Sequence, residues 1–288
     1  MSMENTLPAP VLAAPRRRGG WQVRLALALV ALLVLFMAAA PLIAPHDPDL
    51  VDLAAKLQGP SAAHWLGTDH LGRDMLTRLI YATRISLGSV AIILLLVLAL
   101  GLIVGGASGF IGGRFDRIVM RFCDVFLTFP TFVLAMFMIG VLGIGMVNVI
   151  VAVVLSHWAW YARIVRGLVL SMRERDYIAA AGIAGAGRVR IFVEHIMPGV
   201  LAQLVVLATL DIGHMMMHVA GLSFLGLGVA APTPEWGVMI NDARQFVWTQ
   251  PLLVLWPGMM ILISVMAFNR LGDALRDRLD PAFRAAHC

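Results

Sequence analysis

The chain has 288 residues, 60% of them hydrophobic and 14% charged, with a mean hydropathy of +0.87. Soluble globular chains carry about 25% charge, so this composition excludes an ordinary soluble enzyme, and it excludes a disordered chain as well. The formal net charge is +5, yet Lys56 is the sole lysine among 22 Lys and Arg, so no phosphate-binding GK[ST] loop exists and ATP-driven work would need another chain to hydrolyse the ATP.

The apolar excess is concentrated. Stretches 25–46, 85–113, 125–162 and 245–269 contain no Asp, Glu, Lys or Arg, and 196–234 contains only Asp211. Residues 1–20 read as a cytoplasmic tail. A helix crosses the hydrocarbon with about 20 residues, and Trp21–Ala44 supplies a first span. Arg16–Arg18 followed by an apolar run also suits a signal peptide, but the run exceeds the usual apolar core of about 7–15 residues, so an uncleaved anchor is expected.

Residues 45–84 read as an extracytoplasmic loop. Thr68 and Asp69 offer a helix cap, after which Leu71, Met75, Leu79 and Ile80 recur at helical spacing. This predicts an amphipathic helix on the outer membrane surface. His46, His64 and His70 in this loop read as solvated surface histidines that could meet a metal-delivering partner.

Ile85–Ile111 is the second span. Gly101, Gly105, Gly109 and Gly113 follow at i,i+4 steps, a flat stripe for close helix packing. Stretch 125–162 is too long for one helix and is interrupted by the glycines of 140–148, so it divides into spans at 119–141 and 146–164. Asp116 and Asp124 read as partners of Arg117 and Arg121, near the inner end of the third span. His157, beside Trp158, Trp160 and Tyr161, reads as a hydrogen-bonder in an interfacial aromatic belt.

The loop 171–198 has helical spacing and little linker character. Asp176 is expected to cap a short helix. Ala179, Ala180 and Ala181 make that helix slim, and Gly182, Gly185 and Gly187 end it. Arg188 and Arg190 follow. A compact helix held off the membrane by two spans suits docking into a partner's groove.

Ile196–Val219 is the fifth span and Leu252–Phe268 the sixth. In the fifth, Asp211, His214 and His218 stand at i, i+3 and i+7 on one helical face. Two imidazoles at i,i+4 can share a metal, imidazole suits nickel, and a carboxylate can complete such a set. A carboxylate inside a span costs roughly 2.5–3.5 kcal/mol, so it faces a path, a partner, or a packing mate on another span. Between the fifth and sixth spans PEWG, and later WPG, read as outer-face turns. A seventh span is excluded because it would invert the C-terminal arginines.

Six spans with both termini inside place 17 cations on the cytoplasmic side and 5 outside, as the positive-inside rule requires. The basic excess is therefore topological, with no nucleic-acid footprint. Cys123 and Cys288 form neither a disulfide framework nor a zinc site. The terminal pair His287 and Cys288 could take a metal adventitiously, but two ligands at a chain end are a weak signal for a site. No nucleophile–base constellation is present, so catalysis in this chain is not expected.

The loop 171–198 resembles the coupling loop of bacterial ATP-binding-cassette (ABC) importer permeases. Ala179–Ala181 match its EAA triplet, with Ala179 where the family commonly has Glu. Gly185 matches the motif glycine and His195 to Pro198 its ending. Segments 67–89, 110–131, 222–229, 232–242 and 268–281 are similar to the dipeptide/oligopeptide/nickel permease family. Within it, 156–166 and 207–229 are most similar to the nickel-importer C-type subunit.

The resemblance implies an all-α type I permease in the bacterial inner membrane, with a core domain over 85–270 and a cytoplasmic tail over 271–288. It implies a second permease subunit, two P-loop ATPase subunits that hold ATP and Mg²⁺, and an extracytoplasmic nickel-binding protein. No cofactor is expected in this chain. Coupling to the ATPases would use Asp176, Ala179, Ala180, Ala181, Gly185, Arg188, His195 and Pro198; the metal path would use Asp211, His214 and His218. A peptide permease and a proton-coupled secondary transporter using Asp211 remain the alternatives.

Overall fold

A computed structural model describes residues 20–230 and 232–279. The expectations for most of the first tail, and for His287 and Cys288, fall outside the described residues. The described chain is helical, its one β-feature being an isolated Thr68–Asp74 bridge.

Helix α1 spans Gly20–Ile43 and packs against the second and last long helices. It kinks at Ala39, two residues before Pro41, because the residues ahead of a proline are pushed from helical geometry and the ring removes a backbone donor. Helix α2 runs unbroken over Met75–Ile111. The expected surface helix is therefore the first turns of the second span. Its cap is Asp74 rather than Thr68 or Asp69, with Asp74 accepting from the Thr77 backbone N–H at 2.8 Å.

Nor do Arg73 and Arg78 lie on a membrane surface. Arg73 and Arg78 are 1% and 2% exposed. Arg73 Nε donates to Asp69 at 2.7 Å, and Arg78 donates to the carbonyls of Pro48 and Pro232. Asp69 also accepts from the backbone N–H groups of Leu71 and Arg73. These carboxylate and carbonyl partners offset the burial of the two guanidinium groups, although Arg73 Nη1 has no hydrogen-bond partner. The result is a polar knot that ties the 45–74 loop and the 232–242 segment to the start of α2.

Helix α3, Gly113–Thr128, and α4, Thr131–Leu142, meet at a bend of 87°. The expected straight span over 119–141 is thus broken at Pro130, with Phe129 forced into extended geometry. Among the described residues, five helices are long and apolar enough to cross a membrane, or six if this bent pair counts as one span. The glycine break is where it was expected: Gly143 and Gly145, both at positive φ, separate α4 from α5, Met146–Arg173.

The densest seam joins α2 to α5. A Cβ on Gly101 would lie 2.6 Å from Tyr161 Cβ, on Gly105 2.2 Å from the Ala162 carbonyl oxygen, and on Gly109 2.9 Å from Val169 Cβ. Gly113 does not continue the stripe: it starts α3 at φ +64° with open space around it. Val90, Ile93, Val97, Val149, Val165 and Val169 fill the rest of this core.

Charges on α3 are clamped by α5, not by their helical neighbours. Arg166 grips Asp116 bidentately at 2.5 and 2.6 Å, Ser108 also donates to Asp116, and Arg163 pairs with Asp124.

Helix α6, Asp176–Ile183, is followed by a short α7, Arg188–Arg190, a π-turn over Ile191–Ile196 and α8, Met197–Phe224. Pro198 sits near the start of α8. It cannot donate to the preceding turn, which accounts for the wide π geometry just before it. Helix α9, Trp236–Ala243, is too short to cross, in line with the excluded seventh span. Its cap is Glu235, fully buried, accepting from Ser86 Oγ at 2.9 Å and from the Val238 N–H at 2.9 Å. Burial pushes this carboxyl's pKa up against the lowering by those donors. Helix α10 covers Leu252–Leu279 and keeps Pro257 inside it, so WPG is part of a helix and not a turn.

Candidate functional site

The fifth apolar segment meets α5 at its middle. Asp211, 5% exposed, is the 15th residue of the 28 in α8. Its Oδ2 accepts from the Tyr161 hydroxyl at 2.8 Å and lies 3.3 Å from His157 Nε2. Its Oδ1 lies 3.3 Å from His214 Nδ1. The carboxylate is therefore held between two imidazoles, one from each helix, and anchored by a phenol. The carboxylate is shared between packing and display: Tyr161 and His157 tie it to α5, while His214 carries it to the surface with a side chain 79% exposed.

His218 is less directly placed. Its Nδ1 contacts the His214 carbonyl oxygen at 2.7 Å, and its ring stands 6.3 Å from that of His157 and 6.1 Å from that of Phe132. It lines the cluster without reaching Asp211. Met215 and Met216 point into the core and Met217 away from it.

His157 belongs to this cluster, not to an interfacial belt, because it falls near the centre of α5. Sequence reasoning missed it and Tyr161 as Asp211 partners, since 54 and 50 residues separate them. The signal that could have found them was the i,i+4 spacing of His157 and Tyr161 on one helix face.

The second candidate region lies at the opposite end of the bundle from the arginine knot. Asp176 is the first residue of α6 and makes no side-chain cap; Arg175 precedes it as the boundary residue. Ile178, 8% exposed, is the peg that seats α6 on the core. Asp176, Ala179, Ala180, Gly185 and Arg188 are exposed, and Ala181 is partly covered. Gly185, at φ +88°, turns the chain after α6. Ile183, Val189 and Val193 are 89%, 69% and 56% exposed, an apolar face standing among Arg188, Arg190 and the slim alanine ridge. His195 lies in the π-turn, its carbonyl oxygen 3.5 Å from the Tyr177 hydroxyl, and Pro198 follows at the start of α8. Such a face, apolar and charge-rimmed on a short helix, is what a partner's groove can grip.

Comparison with known proteins is consistent across the chain. The family model described as the inner membrane component of binding-protein-dependent transport systems matches residues 98–285. The nickel transport system permease protein NikC of Escherichia coli (strain K12) is 61% identical over 267 residues, covering 93% of this chain and 96% of the relative. The metal-staphylopine import system permease protein CntC of Staphylococcus aureus (strain NCTC 8325 / PS 47) is 44% identical, covering 89% of each chain. The dipeptide transport system permease protein DppC of Alkalihalophilus pseudofirmus is 39% identical, covering 90% of this chain and 85% of the relative.

Proposed function

The chain belongs to the family of inner membrane components of binding-protein-dependent transport systems, and from that premise we propose that it forms part of the membrane path for nickel, as Ni²⁺ or a nickel chelate. It is a non-catalytic permease subunit of an ABC importer. The complete importer would add a second permease, two P-loop ATPase subunits that bind ATP and Mg²⁺, and an extracytoplasmic nickel-binding protein. By the arginine asymmetry, α6 faces the cytoplasm and the arginine knot the outside.

One observation carries the metal reading: Asp211, mid-helix, with an imidazole on each side at 3.3 Å and one of those imidazoles presented outward. Nitrogen and carboxylate oxygen are suitable ligands for nickel. A transport path must also let go of its cargo, and an exposed His214 offers transient rather than caged binding. His214 would face the second permease, and the two chains would close the path between them. A peptide has no use for an imidazole pair beside a buried carboxylate, although the peptide permeases among the relatives keep that substrate class in view.

The test is nickel uptake by cells carrying the whole importer. His214→Ala with His218→Ala should cut uptake of radiolabelled Ni²⁺ at least roughly tenfold while the assembled complex persists, as the loss of metal-site partners does elsewhere. Unchanged uptake would refute the path. Competition by dipeptides, and not by metal chelators, would favour the peptide reading.

Coupling belongs to α6 and the turn after it. Closure of the ATPases would shift the 171–198 loop and tilt α5 and α8 with it. Ala180→Trp with Gly185→Trp should abolish uptake and uncouple it from ATP hydrolysis. Wild-type coupled hydrolysis in that variant would show that docking lies elsewhere.

A further inference from the structure

Three side chains with no part in the Asp211 cluster converge at the outer end of the bundle. His46 follows α1, His64 lies in the loop, and Asp74 caps α2. A ligand atom from each lies within 4.8 Å of the others. His64 Nδ1 stands 2.9 Å from Asp74 Oδ1, His46 Nδ1 stands 3.7 Å from Asp74 Oδ2, and the two imidazole rings are 5.0 Å apart.

The placement is built by backbone contacts. The His46 N–H donates to Thr77 Oγ1 at 3.2 Å, pinning that residue to the first turn of α2. The His64 N–H donates to Ser61 Oγ, and the His64 carbonyl accepts from both Ser61 and Gly67. Asp74 is fixed by its cap to Thr77. Exposure rises from Asp74 at 2% to His64 at 19% and His46 at 34%, so the cluster opens outward.

A loop lock would account for His64, which holds the cap. It does not account for His46, whose Nδ1 is buried and makes no hydrogen bond. An imidazole nitrogen turned toward a second imidazole and a carboxylate, and left without a donor or acceptor, is costly unless something electrophilic completes it.

We infer that His46, His64 and Asp74 form an outer acceptor site for a divalent transition-metal ion, which takes the ion before it reaches the Asp211 cluster. Metal–nitrogen and metal–oxygen bonds of about 2.1 Å put neighbouring ligands roughly 3.4 Å apart, so small side-chain rotations close the observed spacing. Two imidazoles and one carboxylate select nickel, copper or zinc over magnesium and calcium. Three protein ligands leave coordination positions for water or for the ligands of a delivering protein, and an incomplete shell at an open surface suits handover rather than storage. The choice of Ni²⁺ as cargo rests on the reading above; the presence of the site does not.

Equilibrium dialysis of ⁶³Ni²⁺ with the purified importer complex tests the inference. His46→Gln with His64→Gln should remove one Ni²⁺ per chain, or weaken it at least roughly tenfold, while Asp211→Asn keeps it. The wild-type melting temperature should rise with Ni²⁺, and that of the double variant should not. His46→Gln alone, which removes no hydrogen bond of the ring, gives the same result if the double variant fails to assemble. Equal stoichiometry and affinity in wild type and variants overturns the inference, as does binding at millimolar Ni²⁺ only or displacement by equimolar Mg²⁺. Ion binding that follows the variants, in a wild-type complex that takes up no nickel, would uphold the site and overturn the transport reading instead.

Discussion

Two buried carboxylates, Asp69 and Asp211, have nearly the same exposure and opposite surroundings. Asp69 is gripped by the Arg73 guanidinium and two backbone N–H groups, with Arg78 at 3.6 Å. Every group around it is a permanent donor, the cluster is closed, and it serves to hold the outer loops on α2. Asp211 has one phenol that donates to it and two imidazoles, which take up protons or metals readily, and one imidazole is open to the outside of the subunit. Arginine around a carboxylate makes a rivet; histidine around one makes a site that can trade partners.

The largest expected effect is on the rivet. Arg73→Ala leaves Asp69 buried with an incomplete set of partners and should destabilise the fold by about 3–5 kcal/mol. The check is recovery of folded subunit and its melting temperature; recovery at wild-type levels would mean that the knot is not structural. Asp211→Asn strands no guanidinium. It should cost only about 1 kcal/mol through a weaker Tyr161 bond, yet it should reduce nickel uptake severely. A loss of folded protein as large as that of Arg73→Ala would erase the distinction between the two clusters. The smallest effect belongs to His214→Ala, an exposed position, whose melting should shift by no more than about 0.5 kcal/mol. Its uptake defect then reads on transport alone.

Much of the architecture was legible in hydropathy. Charge-free runs marked α1, α2, α5 and α10, and a run with the single charge Asp211 marked α8, because a segment that must sit in hydrocarbon cannot carry charge cheaply. The glycine break before α5 and the slim helix α6 were visible for local reasons, as was the i,i+3 pair of Asp211 and His214. The bend at Pro130 had a local signal too, but the uninterrupted apolar run around it outweighed the proline. The stripe at Gly101, Gly105 and Gly109 was legible as a stripe, though its partner α5 was not, and Gly113 fits the spacing while belonging to the next helix.

What stayed hidden depended on contacts distant in sequence. Arg78 looks like the polar face of a surface helix until the Pro232 carbonyl, 154 residues away, is brought to it. His157 looks interfacial beside its tryptophans until α8 delivers Asp211. His46 and His64 look like solvated loop residues until α1 and the loop set both against the cap of α2. The sequence by itself determined that this is a basic, lysine-poor membrane helix bundle with a short, slim helix between two of its spans, since insertion into lipid depends on composition and short-range periodicity. Only the tertiary structure decided which polar groups are rivets and which are open sites, because that distinction rests on which donors fill a carboxylate's coordination from other helices.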